Sequence, residues 1–265
     1  MDLFTQAELD ANLTTRFLGR HAVLMESVDS TNAEARRMAL SGCPDGAVVV
    51  AEAQTAGRGR RGRRWVSEPG VGLWMSFVIA PFMPPEELQK LTLAAGLAVC
   101  RAAERCTEGA ARSVIKWPND VLLEGRKLCG ILCESAEDRS GRRFVVAGIG
   151  VNTRRPRSGW NEAARRAVSL EEVSGHAVPR LPLAAEILNE TEKLLDAWRA
   201  EGFAGIATGY RQYMMPIGTP VTVMDGGALH AGRIEGLDDG GGLLVRLDTG
   251  VLERVISGEI SVLGG

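Results

Sequence analysis

The feature that most constrains this chain is residues 54–65, where five arginines are interleaved with three glycines. A buried, β-rich run over 46–54 leads directly into this segment, which is therefore predicted to be a loop at the carboxyl end of a strand. Arginine side chains stay charged and bind carboxylates or phosphates in a bidentate way. Glycines let the backbone approach a ligand closely. This segment, called the arginine loop below, is predicted to wrap an anionic small molecule.

Taken alone, a short arginine run also fits a solvated basic patch or a nucleic-acid contact. The net charge is −2, and because the loop contributes +5, the remainder of the chain carries −7. A general nucleic-acid-binding protein usually carries positive charge over a whole face, so this distribution argues against a nucleic-acid partner. Gly57, Gly59 and Gly62 match the spacing of the dinucleotide fingerprint, but neither the helix nor the acidic residue that it requires follows.

Length and cysteine content bound the type of protein. The 265 residues are 45% hydrophobic and 24% charged, as in ordinary globular proteins, and predict one large domain with room for a small second one. The five cysteines include no C-x-x-C pair, and no signal peptide is recognisable, so we expect reduced thiols and a cytoplasmic location. No apolar run approaches the ~18 residues of a membrane helix, and three scattered histidines suggest no protein metal site.

The order of predicted elements is that of a mixed α and β protein. The first 20 residues are predicted to form a short amphipathic helix. Ser30 and Thr31 are predicted to cap the next helix, which runs to Leu40, although binding a ligand is the alternative role for both side chains. Pro84 and Pro85 are predicted to open a long buried helix over 86–106. Further predictions are strands over 21–28, 46–54, 72–80, 121–123, 127–134 and 143–152, a helix over 183–201, and short strands after Pro216 separated by glycine turns.

Two reversals of the chain surround the Trp-Pro-Asn-Asp sequence at 117–120. Proline excludes the preceding residue from helical conformation, and Asn and Asp favour turns. A second turn at 124–125 reverses the chain again, so Asp120 and Lys127 are predicted to meet at one end of adjacent strands. The alternative is a simple hairpin with an exposed Asp and Lys. Gly148 and Gly150 interrupt another strand and predict the close approach of a ligand or another backbone.

Several motifs together resemble the biotin protein ligase family. They are Ser-Thr-Asn at 30–32, the arginine loop, Lys-Trp-Pro-Asn-Asp at 116–120, Arg-Lys-Leu-Cys-Gly-Ile-Leu at 126–132, Gly-Ile-Gly-Val-Asn at 148–152 and Gly-Glu-Ile-Ser at 258–261. The resemblance implies an α+β fold of the class II aminoacyl-tRNA synthetase-like, biotin–lipoyl ligase type. It places a leader helix at 1–20, a catalytic domain with a mixed β-sheet and packed helices at 21–214, and a small SH3-like β-barrel at 215–265.

The resemblance also implies a reaction. ATP and biotin would form biotinyl-5′-adenylate and pyrophosphate, with Mg²⁺ accompanying ATP, and biotin would then pass to a lysine of a biotin carboxyl carrier domain. Lys127 and Arg60 would be catalytic, and Asp120 would orient the acceptor lysine. The implied biotin-binding residues are Ser30, Thr31, Asn32, Gln54, Gly57, Arg58, Gly59, Arg60, Lys127, Gly130, Leu132, Gly148 and Gly150. The implied nucleotide-binding residues are Arg58, Arg60, Arg63, Trp65, Lys127 and Asn152.

Two other functions remain open at this point. A lipoate or octanoate transferase shares the catalytic fold, but the arginine loop and the Lys-Trp-Pro-Asn-Asp turn favour biotin. A non-catalytic biotin sensor would have no chemical need for Lys127, Asp120 and the complete loop. Regulatory members of the family carry an N-terminal winged helix-turn-helix, whereas only a short leader precedes the catalytic motifs here, so we expect a ligase without operator binding. Family members often dimerise through sheet edges, which implies a possible homodimer.

Overall fold

The computed structural model of the chain describes residues 4–80, 87–110, 112–160, 162–225, 228–256 and 258–262. The helices are α1 (Gln6–Asn12), α2 (Thr31–Leu40), α3 (Leu88–Cys106), α4 (Leu170–Ser174), α5 (Arg180–Glu201) and α6 (Ala204–Tyr213). The strands of the first sheet are β1 (Ala22–Val28), β2 (Val48–Gln54), β3 (Gly72–Ile79), β4 (Ser113–Lys116), β5 (Asp120–Leu123), β6 (Arg126–Glu137) and β7 (Arg143–Asn152). Those of the second are β8 (Pro220–Asp225), β9 (Ala228–Leu237), β10 (Leu243–Leu247), β11 (Leu252–Val255) and β12 (Glu259–Val262).

The first sheet is mixed and has the order β1-β2-β3-β7-β6-β5-β4. Strands β1 and β2 are parallel, and the other neighbours are antiparallel. Successive residues of β2 face opposite sides, since Val48 and Val50 belong to the core that contains α3 and α5, and Val49 packs with Ala35 and Ala39 of α2. Both faces of the sheet are therefore covered, which explains why β2 and β3 are almost continuously apolar.

The predicted 20-residue helix at the start of the chain is wrong beyond Asn12, where α1 ends. The backbone nitrogen of Thr14 binds the Asn189 side chain at 2.8 Å, and the carboxylate of Glu192 accepts hydrogen bonds from three successive nitrogens at 16–18. These donors bind side chains of α5 instead of continuing a helix. Leu18 is fully buried by this arrangement, so the segment is part of the main core.

The remaining predicted elements agree with the structure, with shifted ends. The long helix α3 begins at Leu88, and Pro84, Pro85 and Glu86 lie outside the described residues. Helix α5 begins at Arg180, three residues before the predicted start, and β6 continues past 134 to Glu137. No helix in the described ranges is both long enough and apolar enough to cross a membrane.

The second sheet is antiparallel, with the order β11-β10-β9-β8-β12, so the predicted all-β unit after Pro216 is confirmed. Val221, Val223 and Ile260 of this sheet belong to the same apolar core as α3 and α5. The indole nitrogen of Trp117 donates to the carbonyl oxygen of Gly241 at 3.3 Å. The small sheet is therefore packed directly on the turn that carries Asp120.

Candidate active site

A cavity of about 590 Å³ lies where the arginine loop meets β6 and β7. Its walls include sixteen of the seventeen residues that the resemblance implies. They are Ser30, Thr31, Asn32, Gln54, Arg58, Gly59, Arg60, Arg63, Trp65, Asp120, Lys127, Gly130, Leu132, Gly148, Gly150 and Asn152. These residues come from five separate segments of the chain (30–32, 54–65, 120, 127–132 and 148–152), and the fold brings them around one space.

Gly57 is the exception, because it does not line this cavity. A Cβ at Gly57 would lie 2.4 Å from the carbonyl oxygen of Trp65, and the Gly57 oxygen accepts a hydrogen bond from the Trp65 nitrogen at 2.9 Å. The glycine is required where the two ends of the arginine loop cross. Its position indicates a role in closing the loop.

Lys127 and Asp120 form an ion pair, with 2.7 Å between Nζ and Oδ1. The two predicted reversals do bring them together, but a β-bulge that the sequence did not predict turns Lys127 toward the cavity. Val121 pairs with Cys129, and the next residue of β5 pairs with Lys127, so Leu128 is the extra residue. Leu128 and Cys129 are consequently both buried, and Lys127 lies on the same face of β6 as the cavity glycines.

The backbone of Lys127 is held as firmly as its side chain. Its nitrogen donates to the Arg166 oxygen at 2.7 Å, and its oxygen accepts from the Val168 nitrogen at 3.0 Å and from Asn152 Nδ2 at 3.3 Å. Asn152 Nδ2 also donates to the Val168 oxygen. The amide hydrogens of Asn152 therefore hold the strand that carries Lys127, which is a different task from the nucleotide contact that the resemblance implies.

Trp65 lines the cavity and lies over Gly130 of β6 and Gly150 of β7. A Cβ at Gly130 would be 2.8 Å from its ring, and one at Gly150 would be 2.7 Å from its Nε1 atom. Lys127 Nζ lies 5.2 Å from the ring centroid, within cation–π range, and Trp74 meets the ring edge-on. The close approach predicted at Gly150 is real, but it is made by a side chain of the same protein. Among the described residues the buried Trp65 Nε1 has no hydrogen-bond partner.

A chain of polar side chains forms one end of the cavity. Gln54 Oε1 accepts hydrogen bonds from both Thr31 N and Thr31 Oγ1, at 2.8 and 3.1 Å. Gln54 Nε2 donates to Ser67 Oγ at 2.7 Å. Ser30 occupies the N-cap position of α2, but its side chain makes no capping hydrogen bond, so the capping role predicted for its hydroxyl is wrong. This end of the cavity therefore offers several oriented donors and acceptors to a polar ligand.

Arg60 of the arginine loop is tied to two other parts of the molecule. Its guanidinium donates to Asn119 Oδ1 at 2.9 Å and to the Gly258 carbonyl oxygen at 3.0 Å. Burial lowers the pKa of Arg60, opposed by the carboxylates of Glu259 and Asp120, and a guanidinium so placed stays charged at neutral pH. The loop thus holds a permanent cation beside Asp120.

Glu259, at the start of β12, joins the small sheet to the arginine loop. Its two carboxylate oxygens accept hydrogen bonds from Arg63 at 2.6 and 2.8 Å, and Arg61 lies 3.5 Å away. Burial raises the pKa of Glu259, but the hydrogen bonds and charge of Arg63 outweigh this and hold the pKa below its ordinary value. Glu259 is therefore ionised at neutral pH and fixes the Arg63 guanidinium at the cavity wall, which both side chains line.

Replacing Glu259 by glutamine is expected to loosen the arginine loop. An ion pair near the surface contributes about 0.5–1 kcal/mol to the stability of the contact that it forms. We therefore expect trypsin to cleave the loop about threefold faster in this variant than in the wild-type protein. Mass-mapped limited proteolysis measures this rate. Glu253→Gln is the matched control, because the described residues include no ion-pair partner for Glu253. Equal cleavage rates in both variants would show that the ion pair between Glu259 and Arg63 does not hold the loop.

Several cavity residues were not identified from the sequence. Asn119 lines the cavity beside Asp120, and Glu259 lies at its rim. Trp160 and Arg166 come from an irregular segment after β7, which has no periodic pattern to draw attention to them. Glu259 could have been found, because it belongs to the C-terminal motif. Within the described part of the chain, no three His, Cys, Asp or Glu side chains are grouped as they would be around a metal ion.

Comparison with known proteins agrees with this geometry. Residues 24–152 match the biotin/lipoate A/B protein ligase family, and residues 217–263 match the biotin protein ligase C terminal domain. The chain is 38% identical to the biotin–[acetyl-CoA-carboxylase] ligase of Paracoccus denitrificans over 84% of this chain and 93% of that protein. It is 33% identical to a bifunctional ligase/repressor of Bacillus spizizenii over 97% of this chain and 79% of that protein.

A solved structure shows the same fold. The biotin protein ligase of Aquifex aeolicus, in complex with biotin and ATP, superimposes with a TM-score of 0.78 at 30% sequence identity. The match covers 91% of this chain and 98% of that one. The predicted α+β architecture with a small C-terminal β unit is thereby confirmed, and the chain belongs to the biotin/lipoate A/B protein ligase family, within which it is a biotin protein ligase.

Proposed function

We propose that this enzyme activates biotin with ATP to biotinyl-5′-adenylate and then transfers biotin to a lysine of a biotin carboxyl carrier domain. The observation that carries the proposal is the Lys127–Asp120 pair, 2.7 Å apart in the wall of a cavity that the arginine loop also lines. One end of that cavity is lined by uncharged polar side chains. The arginine loop and β6 supply positively charged side chains to the rest of its wall. This arrangement suits a ligand with a polar ring and a carboxylate, together with a phosphate chain.

In the first step, a biotin carboxylate oxygen would attack the α-phosphorus of ATP, and the bond from that phosphorus to the pyrophosphate oxygen would break. Both reactants are anions, so catalysis requires positive charge between them. Lys127 Nζ is placed to bridge the carboxylate and the α-phosphate, with Arg58 and Arg60 as further cations. Mg²⁺ would enter with ATP and be held largely by phosphate oxygens, as is usual for this ion.

In the second step, the amine of the acceptor lysine would attack the acyl carbon, and AMP would leave. The attacking amine must be neutral and correctly aimed. Asp120 is placed to orient it, because the side chain lines the cavity next to Lys127. When the adenylate phosphate engages Lys127, the Asp120 carboxylate is released for this task. The carrier domain is thus proposed as the macromolecular partner.

The activity to be distinguished within the same family is that of a lipoate or octanoate transferase. The match of residues 217–263 to a biotin protein ligase C terminal domain favours biotin. The cluster of positive charge lines a small-molecule cavity, so we propose no nucleic-acid partner. A homodimer through an edge of the first sheet is also proposed, because in the described residues β1 has no strand on its outer side. A gel-shift assay and light scattering test these two points.

The test of the proposed function uses the purified full chain with biotin, ATP and Mg²⁺, with and without a biotin carboxyl carrier domain. We expect ATP-dependent addition of one biotin to the carrier by mass spectrometry, and pyrophosphate release without the carrier. Transfer of lipoate or octanoate in place of biotin would assign the chain to the rival activity. Binding of biotin without any pyrophosphate release would support a sensor.

A further inference from the structure

The side-chain amide of Asn32 is held by four neighbours at the polar end of the cavity. Its Nδ2 atom donates to the Leu132 carbonyl oxygen at 3.2 Å and to Glu134 Oε2 at 2.7 Å. Its Oδ1 atom accepts from Ser76 Oγ at 2.7 Å and lies over Gly148, where a Cβ would be only 1.9 Å away. Asn32 is 3% exposed, so this network replaces water almost completely.

This network allows only one orientation of the amide. Nδ2 faces two acceptors that cannot donate, a backbone oxygen and a carboxylate, so rotating the amide by 180° would put Oδ1 against both. Both amide hydrogens are then used inside the protein. Since Gly148 and Asn32 line the cavity, the group that Asn32 has left for a ligand is the acceptor Oδ1.

Glu134 is the part of this network that carries a charge. It lies on β6 at two-residue spacing from Gly130 and Leu132, and so on the same face of the strand. Its carboxylate also lies 3.5 Å from the guanidinium of Arg58 in the arginine loop. Ser76 is fully buried on β3 and supports the other end of the amide, and its hydroxyl also lies 2.7 Å from Thr31 Oγ1.

We propose that Glu134 is a positioning residue that orients the Asn32 amide, so that Asn32 accepts a hydrogen bond from a ring N–H of the substrate. The inference rests on the proposed function and deepens it. It assigns specificity for a ureido N–H to the carboxylate of Glu134, which does not itself line the cavity. Without Glu134 the amide loses its strongest fixed acceptor and can rotate. A rotated amide would present an N–H to a substrate N–H.

The test measures binding and kinetics of biotin in Glu134→Ala and Glu134→Gln. A hydrogen bond of about 1–1.5 kcal/mol corresponds to roughly tenfold in affinity, so Glu134→Ala should raise the Kd and KM for biotin about tenfold. The KM for ATP and the kcat should change less than twofold. Glu134→Gln should restore biotin affinity, because its amide oxygen can still accept from Asn32 Nδ2, whereas it cannot form an ion pair with Arg58.

Substrate analogues give a second readout. Two analogues of biotin are compared, each with one of the two ring N–H groups replaced by oxygen. The wild-type protein should discriminate against one of them about tenfold more strongly than the other, and Glu134→Ala should remove that difference. Glu137→Ala is the matched control, because Glu137 lies on the same strand and pairs instead with Arg143 at 3.2 Å. It should behave as the wild type in every measurement.

Three results would overturn the inference. The first is an unchanged biotin Kd in Glu134→Ala, and the second is an equal increase in the KM for biotin and the KM for ATP. The third is a Glu134→Gln variant that binds biotin as weakly as Glu134→Ala does. That third result would assign the effect to loss of the ion pair between Glu134 and Arg58. Calorimetric biotin binding does not require turnover, so it separates this outcome from failure of the proposed function. If wild-type protein binds no biotin and releases no pyrophosphate, the proposed function itself is wrong.

Discussion

Replacing Lys127 by alanine should slow formation of biotinyl-adenylate by about a thousandfold while the fold survives. Removing one preorganised donor to developing negative charge typically costs two to three orders of magnitude in rate. Lys127 merits the upper value, because its backbone is held at both nitrogen and oxygen, and its ammonium lies against Asp120 and Trp65. Single-turnover pyrophosphate release with saturating biotin and ATP measures the effect directly.

The fold should tolerate this change, because the Lys127 side chain is 36% exposed and its ion-pair partner Asp120 is reached by solvent. Lys193→Ala is a suitable control, since it also breaks a lysine–carboxylate pair but lies on α5 and not in the cavity wall. It should release pyrophosphate at the wild-type rate. Near wild-type release by the Lys127 variant, with an unchanged thermal transition, would remove Lys127 from the proposed mechanism.

Replacing Arg60 by glycine should let the adenylate escape into solution. Arg60 bridges Asn119 and Gly258, so it joins the loop to the turn beside Asp120 and to the small sheet. Losing hydrogen bonds from a charged group costs about 1.5–3 kcal/mol, which corresponds to roughly 10- to 100-fold faster release of the adenylate. The expected result is biotin attached to lysines of an unrelated protein such as albumin, detected by mass spectrometry.

Arg61→Gly is the matched control for this experiment. It adds the same backbone freedom to the same loop, but the Arg61 side chain is directed to Met224 and Glu259 of the small sheet. Its backbone also has φ of 54°, a conformation that glycine adopts without strain. Albumin labelling should stay close to the wild-type level in this variant. Strict dependence on the carrier domain in Arg60→Gly would show that Arg60 does not retain the adenylate.

Much of the architecture could be predicted from local patterns. The apolar runs of β2, β3 and β7 and the turns around Trp117 and Gly125 are set by residue type and by the preferences of proline and glycine, which act within a few residues. The N-terminal helix was predicted to be too long because residues distant in the sequence decide where it ends. Its apolar spacing continues past Asn12, but Glu192 and Asn189 on α5 offer the backbone better partners than another helical turn.

The site was predicted largely through the conjunction of motifs, because each motif alone has ordinary alternatives. What the motifs could not supply is the task of each side chain. Asn152 supports the backbone of Lys127, Gly57 closes the arginine loop, and Gly148 leaves room for Asn32. These tasks depend on which atoms lie within hydrogen-bond or van der Waals distance of each other, and packing between distant segments decides that.

The sequence by itself determined the mixed α and β class, the small all-β unit, and the position of a cationic glycine-rich loop at the end of a buried strand. Only the tertiary structure decided that a β-bulge turns Lys127 toward the cavity and that Glu259 holds Arg63 across a separation of 196 residues. It also placed Glu134 against an amide 102 residues earlier in the chain. Local propensity acts along a few residues, whereas register, burial and charge pairing are settled when the sheets and helices pack together.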